Sequence, residues 1–204
     1  MFELDHLTVC ANSLQEGVAY VEDALGVALT AGGEHQSMGT HNCLLALDDV
    51  YLEVISINPA APAPDHPRWF DLDNFSGPPR ITNWACKLDI LRSGIAVSPD
   101  GMDNILSLAL GDLSWWMAVP KDGKLPYDNA YPALIEWRGY LHPIDILPSR
   151  ACRLHSLELI HPHAMHLNHV LSHLLDEKRL TIQRGDIVKF RAKIETPHGL
   201  RVLE

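Results

Sequence analysis

Two ionisable residues stand in runs that otherwise read as buried strand. His6 lies in Leu4-Asp-His-Leu-Thr8 and Glu53 in Tyr51-Leu-Glu-Val-Ile55. A carboxylate buried alone in such a run costs many kcal/mol, so Glu53 requires an opposite charge, a hydrogen bond or a metal, unless it faces solvent. Imidazole and carboxylate are ligands for divalent metals and also the side chains that move protons. The 12 histidines are in excess, and half of them fall between His155 and His173. Of these, His166, His169 and His173 have helical spacing, and an i, i+4 pair can hold a metal. On the helical wheel, however, they lie opposite Leu167, Val170, Leu171 and Leu174, which predicts a solvated face with incidental metal affinity. There is no G-x-S-x-G, no phosphate-binding glycine loop and no dinucleotide fingerprint, which disfavours triad hydrolysis, nucleotide hydrolysis and hydride transfer.

The elements that must position these residues follow one order. Phe2 to Cys10 is β-prone, and Ser13-Leu-Gln-Glu16 is a capping box that starts a helix. Leu14, Val18, Val21 and Leu25 form its apolar stripe, and Gly26 stops it. Strand-like runs follow at 28–31, 42–47 and 51–57, giving β-α-β-β-β over about residues 1–58. Residues 59–79 hold six of the 14 prolines and read as a semi-rigid connection or a long functional loop. The order recurs over 81–140 with a weaker helix at 89–95, and again over 151–204. There, Val188-Lys-Phe-Arg-Ala-Lys-Ile-Glu195 alternates strictly, as a half-buried strand does. Three units of 50 to 60 residues suggest internal duplication within a single domain, 1–204. The fold class is therefore α+β, built of repeated β-α-β-β-β modules.

At 204 residues, 47% hydrophobic and 21% charged, the chain can bury its own core and is neither disordered nor fibrous. The net charge is −10, and before Arg80 there are 12 Asp/Glu against one Arg. So acidic a half cannot neutralise phosphates, which excludes nucleic acid as its partner. No run reaches the length of a membrane span. Four scattered cysteines (Cys10, Cys43, Cys86, Cys152) and an N-terminus without a signal core point to a cytoplasmic protein with free thiols.

His6 on a first strand and Glu53 on the last strand of a β-α-β-β-β unit, 47 residues apart, resemble the vicinal oxygen chelate superfamily of glyoxalases, extradiol dioxygenases, fosfomycin-resistance enzymes and bleomycin-binding proteins. The nearer resemblance is to glyoxalase-like domain proteins. It is carried by the two runs above, by Gly32-Gly-Glu-His-Gln-Ser-Met-Gly-Thr-His-Asn42, and by Asn83-Trp-Ala85, Ala133-Leu-Ile-Glu-Trp137 and Thr196-Pro-His-Gly199. The resemblance implies that the repeated β-α-β-β-β modules form a cupped mixed β-sheet with helices on the outside, two units closing an open cup, with a divalent metal (zinc, iron, nickel or manganese) on His6, Glu53 and Glu136. Glu53 and Glu136 would be the catalytic carboxylates, and His41, Asn42, Tyr51 and Trp84 would contact a small-molecule substrate. The second unit's first strand departs from the pattern, because Asn83-Trp84 replaces a ligating His or Gln and Trp84 cannot bind a metal. His155 and Glu204, 49 residues apart, could mimic the first pair. Dimers are frequent in the superfamily, so a homodimer is an expected partner state.

Two functions remain open on this reading. One is a metal-dependent lyase, isomerase or dioxygenase acting on a substrate with adjacent oxygens. The other is a metal-free protein that binds or sequesters a small molecule in the same cup. Local roles compete as well: Asn42 can serve the Gly39 turn, and the tryptophans can be sheet packing. The two-residue period makes one further expectation, that His6, Thr8, Tyr51 and Glu53 share the concave face while Leu7, Val9, Leu52 and Val54 meet the helix.

Overall fold

The computed structural model describes residues 1–204. The first unit comprises β1 (Glu3–Cys10), α1 (Leu14–Leu25), β2 (Thr30–His35), β3 (Thr40–Leu47) and β4 (Val50–Ile57). Ser13 caps α1 by accepting the Glu16 N–H, and Gly26 ends it at φ 72°, a left-handed conformation in which a Cβ would be strained. The buried residues of the helix are Gly17, Val21 and Leu25, and a Cβ at Gly17 would stand 2.5 Å from Val54. The helix thus lies directly on β4, and only glycine permits the approach.

The second unit comprises β5 (Arg80–Lys87), α2 (Leu91–Ile95), β6 (Ile105–Leu110), β7 (Leu113–Ala118) and β8 (Ala133–Arg138). Both units contribute to one eight-stranded sheet of order β2-β3-β4-β1-β5-β8-β7-β6. Within each unit the first and last strands pair in parallel, β1 with β4 and β5 with β8. The two units meet where β1 runs antiparallel to β5. The edge strands curl toward each other, so that a Cβ on Gly33 would stand 2.6 Å from Leu110. This is the expected cup, with α1 and α2 on its outer side.

The third segment shares the element order but not the strand order. It comprises β9 (Arg153–His161), α4 (Ala164–Ser172), β10 (Leu180–Arg184), β11 (Lys189–Thr196) and β12 (Gly199–Leu203), following a one-turn helix, α3 (Pro143–Ile146). Its sheet runs β10-β9-β11-β12, with β9 parallel to β10. In the first two units the parallel partner of the opening strand is the last strand, whereas here it is the next one. The expected third copy is therefore a different, smaller sheet. The two-residue period and the element order are the same in either topology, so the sequence did not distinguish them. Its apolar face joins a single core, in which Leu157, Leu171, Phe190 and Ile194 are continuous with Leu7, Val21, Leu52 and Trp84.

Between the units, the proline-rich segment carries a 3-10 turn at Trp69–Asn74. Trp69, Phe70 and Leu72 are buried there, and Phe70 and Asp71 have left-handed backbones (φ 58° and 55°). Gly123 accommodates this turn: a Cβ on it would stand 2.0 Å from the Arg68 carbonyl oxygen.

Candidate functional site

Strand register decides which side chains enter the cup. His6 pairs with Tyr51 and Thr8 with Glu53 across β1 and β4, and Thr8 pairs with Asn83 across β1 and β5. Paired residues leave a sheet on the same face, so His6, Thr8, Tyr51, Glu53 and Asn83 share one face. On the other face Val54 meets α1, as the alternation predicts.

The cup is lined by His6, Tyr51, Glu53, Asn42 and His35 on one side, and by Trp115, Met117, Ile135 and Trp137 on the other. Trp69 and Phe70 from the proline-rich segment and Pro143 from α3 complete it. The polar groups form a chain. Asp5 Oδ2 lies 2.7 Å from His6 Nδ1, and His6 Nε2 faces Glu53 Oε2 at 3.7 Å. Asn42 Nδ2 donates to Glu53 Oε1 at 2.7 Å and accepts the Gly33 N–H through Oδ1 at 2.9 Å. Asn42 is thus a cup residue, and its amide fixes the carboxylate of Glu53.

Asp5 was missed by the sequence reading because strict alternation would place it opposite His6. A register irregularity between Leu4 and His6 in the β1–β5 pairing is what admits it to the same face. Its other oxygen accepts from Trp137 Nε1 (3.0 Å) and lies 2.8 Å from His142 Nε2. Burial disfavours the charge of Asp5, yet hydrogen bonds from His142 and His6 hold its carboxyl well below the usual carboxylate range. His142 Nδ1 accepts the Ile144 N–H, which leaves Nε2–H to donate to Asp5. Tyr51 stacks on His6 with ring centroids 4.6 Å apart, and burial, followed by the charges of Asp5 and Glu53, pushes its phenol well above its ordinary range. It remains a neutral phenol. Burial likewise lowers His35, whose Nδ1 lies 3.1 Å from Thr40 Oγ1.

Three expected site residues lie elsewhere. Glu136 is on the outer face: Ala85 pairs with Ala133, which puts Ala133, Ile135 and Trp137 in the cup and Glu136 behind them. There its carboxylate accepts the Leu91 N–H at 2.8 Å and pairs with Arg138. Trp84 is opposite Leu7, also on the outer face, fully buried, with its indole N–H donated to the Ala130 carbonyl. His41 points outward as well and meets Ser56 Oγ at 2.9 Å. In each case the cause is the same one-residue parity, since a neighbour along a strand lies on the opposite face. His155 and Glu204 do not converge either: His155 meets Glu195, and Glu204 meets Lys189 and Arg191. His166, His169 and His173 are exposed, as their spacing predicts.

The expected metal set is therefore not assembled. Two donors about 2.1 Å from one ion stand roughly 3 to 3.4 Å apart, which His6 and Glu53 approach at 3.7 Å. Asp5 behind His6 also has the form of the carboxylate that orients a metal-binding histidine. A catalytic site needs a third protein ligand, however, and no group of three or more His, Cys, Asp and Glu side chains is placed to hold a metal ion. The second unit supplies Ala133, Ile135 and Trp137 where a donor would be required. These residues do not fit a tightly held divalent ion.

A family model described as a glyoxalase-like domain matches residues 4–175. No curated protein sequence matches the chain. Among solved structures, a hypothetical protein from Staphylococcus aureus superposes with TM-score 0.64 at 11% identity, covering 100% of this chain and 99% of that one. A mutant of 4-hydroxymandelate synthase from Streptomyces coelicolor gives TM-score 0.50 at 14% identity, over 99% of this chain and 62% of that one. Methylmalonyl-CoA epimerase from Mycobacterium tuberculosis gives 0.44 at 16% identity, over 68% and 88%. The first two bear on the fold alone, and the first extends it through the C-terminal sheet.

Proposed function

Because the chain belongs to the glyoxalase-like domain family of the vicinal oxygen chelate superfamily, we propose that it binds a small organic molecule in its cup without a resident metal. The observation that carries this reading is the asymmetry of the cup. One wall holds the linked polar groups Asp5, His6, Glu53 and Asn42, and the facing wall is Trp115, Met117, Ile135 and Trp137. Such a wall grips a flat apolar body, while a few polar groups opposite fix its orientation. His6, oriented by Asp5, and Glu53 are placed to accept a hydrogen bond or a proton from an acidic O–H or N–H of that molecule.

A metal-dependent enzyme is the second reading, favoured by the His6–Glu53 approach and by Asp5 behind the imidazole. Elemental analysis of untagged, dialysed protein separates the two. The metal-free reading expects well under one divalent ion per chain. Close to one ion per chain, lost in Glu53→Ala with the fold intact, would establish the metal enzyme instead.

A further inference from the structure

The cup carries a negative charge that the protein only half answers. Glu53 lines the cup, and its Oε1 accepts from Asn42 at 2.7 Å. Its Oε2 faces His6 Nε2 at 3.7 Å, which is too long for a hydrogen bond. Asp5 differs, because both of its oxygens are engaged, Oδ2 by His6 Nδ1 and Oδ1 by Trp137 Nε1 and His142 Nε2. An ionised carboxylate can only accept, so Nδ1 is the nitrogen of His6 that donates to Asp5, and the neutral imidazole turns the Nε2 lone pair toward Glu53. Two acceptors thus stand 3.7 Å apart on the cup wall, and no group of the protein donates to either. No lysine or arginine lines the cavity. The one base that precedes Arg80 in the sequence, Arg68, is already paired with Asp73.

From this arrangement we infer that the cup takes a protonated primary amine carried on a flat apolar body, with the ammonium shared between Glu53 Oε2 and His6 Nε2. An ammonium has three N–H donors and no acceptor. Set to one side of a 3.7 Å gap, its nitrogen is within hydrogen-bond reach of both acceptors. A neutral alcohol brings a single O–H and satisfies one of them, and a carboxylate meets the charge of Glu53 with its own. The rings of Tyr51, Trp69, Phe70, Trp115 and Trp137 around the cup suit the flat body, and their negative faces favour a cation over an anion. The 12 acids that precede Arg80 add a field that draws cations to this part of the molecule. The inference rests on the proposed metal-free cup and goes beyond it by naming the charge and chemical class of the ligand. Where a metal would lack its third protein donor, an organic cation supplies its own hydrogens.

The test uses the full, dialysed chain near neutral pH and three probes of nearly equal shape: phenethylamine, 2-phenylethanol and 3-phenylpropionate. Binding is followed by NMR through the indole N–H signals of Trp115 and Trp137, which line the cup. Phenethylamine should move both signals and bind at least about tenfold tighter than 2-phenylethanol, with 3-phenylpropionate the weakest of the three. Glu53→Gln removes one of the 26 carboxylates and leaves the general acidity of the chain almost unchanged. It should bind the amine and the alcohol within twofold of each other. An amine preference that persists in Glu53→Gln would come from the acidic surface at large and would overturn the inference. Should Glu53→Gln fail to fold, the comparison of probes on the native chain still decides. If the alcohol or the carboxylate moves the indole signals and binds as tightly as the amine, the ammonium subsite is overturned and the cup reading stands. If none of the three moves either signal, the cup reading falls and the subsite with it.

Discussion

Glu53 and Glu136 close two units of identical strand order, yet their carboxylates leave opposite faces of one sheet. Glu53 faces its neighbour His6 inside the cup, whereas Glu136 receives the first N–H of α2 on the outside. One position along a strand separates a carboxylate that can meet a ligand from one that holds a helix in place.

This difference predicts separable phenotypes. Glu136→Gln should lower stability by about 1 to 2 kcal/mol, through weakened bonds to Leu91 N–H and Arg138, and leave small-molecule binding in the cup unchanged. Glu53→Gln should abolish pairing with an acidic ligand group while retaining the fold, because its amide replaces an acceptor by a donor facing His6 and Asn42. Chemical denaturation and ligand titration of both variants check the pair. Equal loss of binding in Glu136→Gln would contradict the assignment of faces.

Gly123 controls the cover of the cup. It has φ 77°, and an added Cβ would collide with the Arg68 carbonyl at 2.0 Å, next to Trp69 and Phe70. Gly123→Ala should therefore cost roughly 1 to 3 kcal/mol and displace the 3-10 turn. Increased exposure of Trp69, read as a red shift in its emission or faster exchange of its indole proton, is the accompanying signature.

The C-terminal sheet is tied to the first unit by Arg179, which makes two bonds to Asp49 in the β3–β4 turn and also pairs with Glu177. Hydrogen bonds from Arg179 lower the carboxyls of both Asp49 and Glu177 against the opposing effect of burial. Depressed folded-state values stabilise the protein above the unfolded carboxylate range near pH 4, and that contribution is lost as pH falls below it. Arg179→Gln should thus flatten the acid limb of the stability curve below about pH 4 to 5. Since Asp49 is largely exposed, the loss at neutral pH should stay near 1 kcal/mol or less. Tm as a function of pH for the two proteins measures both effects.

Removal of residues 151–204 should yield aggregated or molten protein. Phe2 N–H donates to the Leu174 carbonyl, the Tyr20 hydroxyl donates to the Glu204 carbonyl, and Leu157, Phe190 and Ile194 belong to the common core. A soluble fragment 1–150 with a cooperative melt would show that the cup stands alone.

Much of the cup was legible in the sequence because its determinants are local or periodic. The Ser13 cap and the Gly26 stop bounded α1. The two-residue period placed His6, Thr8, Tyr51 and Glu53 on one face and turned Val54 to the helix. Periodicity gives relative faces within a strand, but it does not say which face of a later strand is concave, and Glu136, Trp84 and His41 were misplaced for that reason. Parity is inherited from strand to strand through register, and register is fixed only when the sheet assembles. Asp5 shows the converse case, since one irregularity in the β1–β5 ladder brings it beside His6 against the local alternation. The strand order of the C-terminal sheet was likewise decided by long-range pairing, to which an identical series of elements is blind. The types and spacings of the residues thus determined which groups were available to the cup. Which of them meet there, and which buried polar atoms are left without a partner, was settled by contacts between residues distant in the chain.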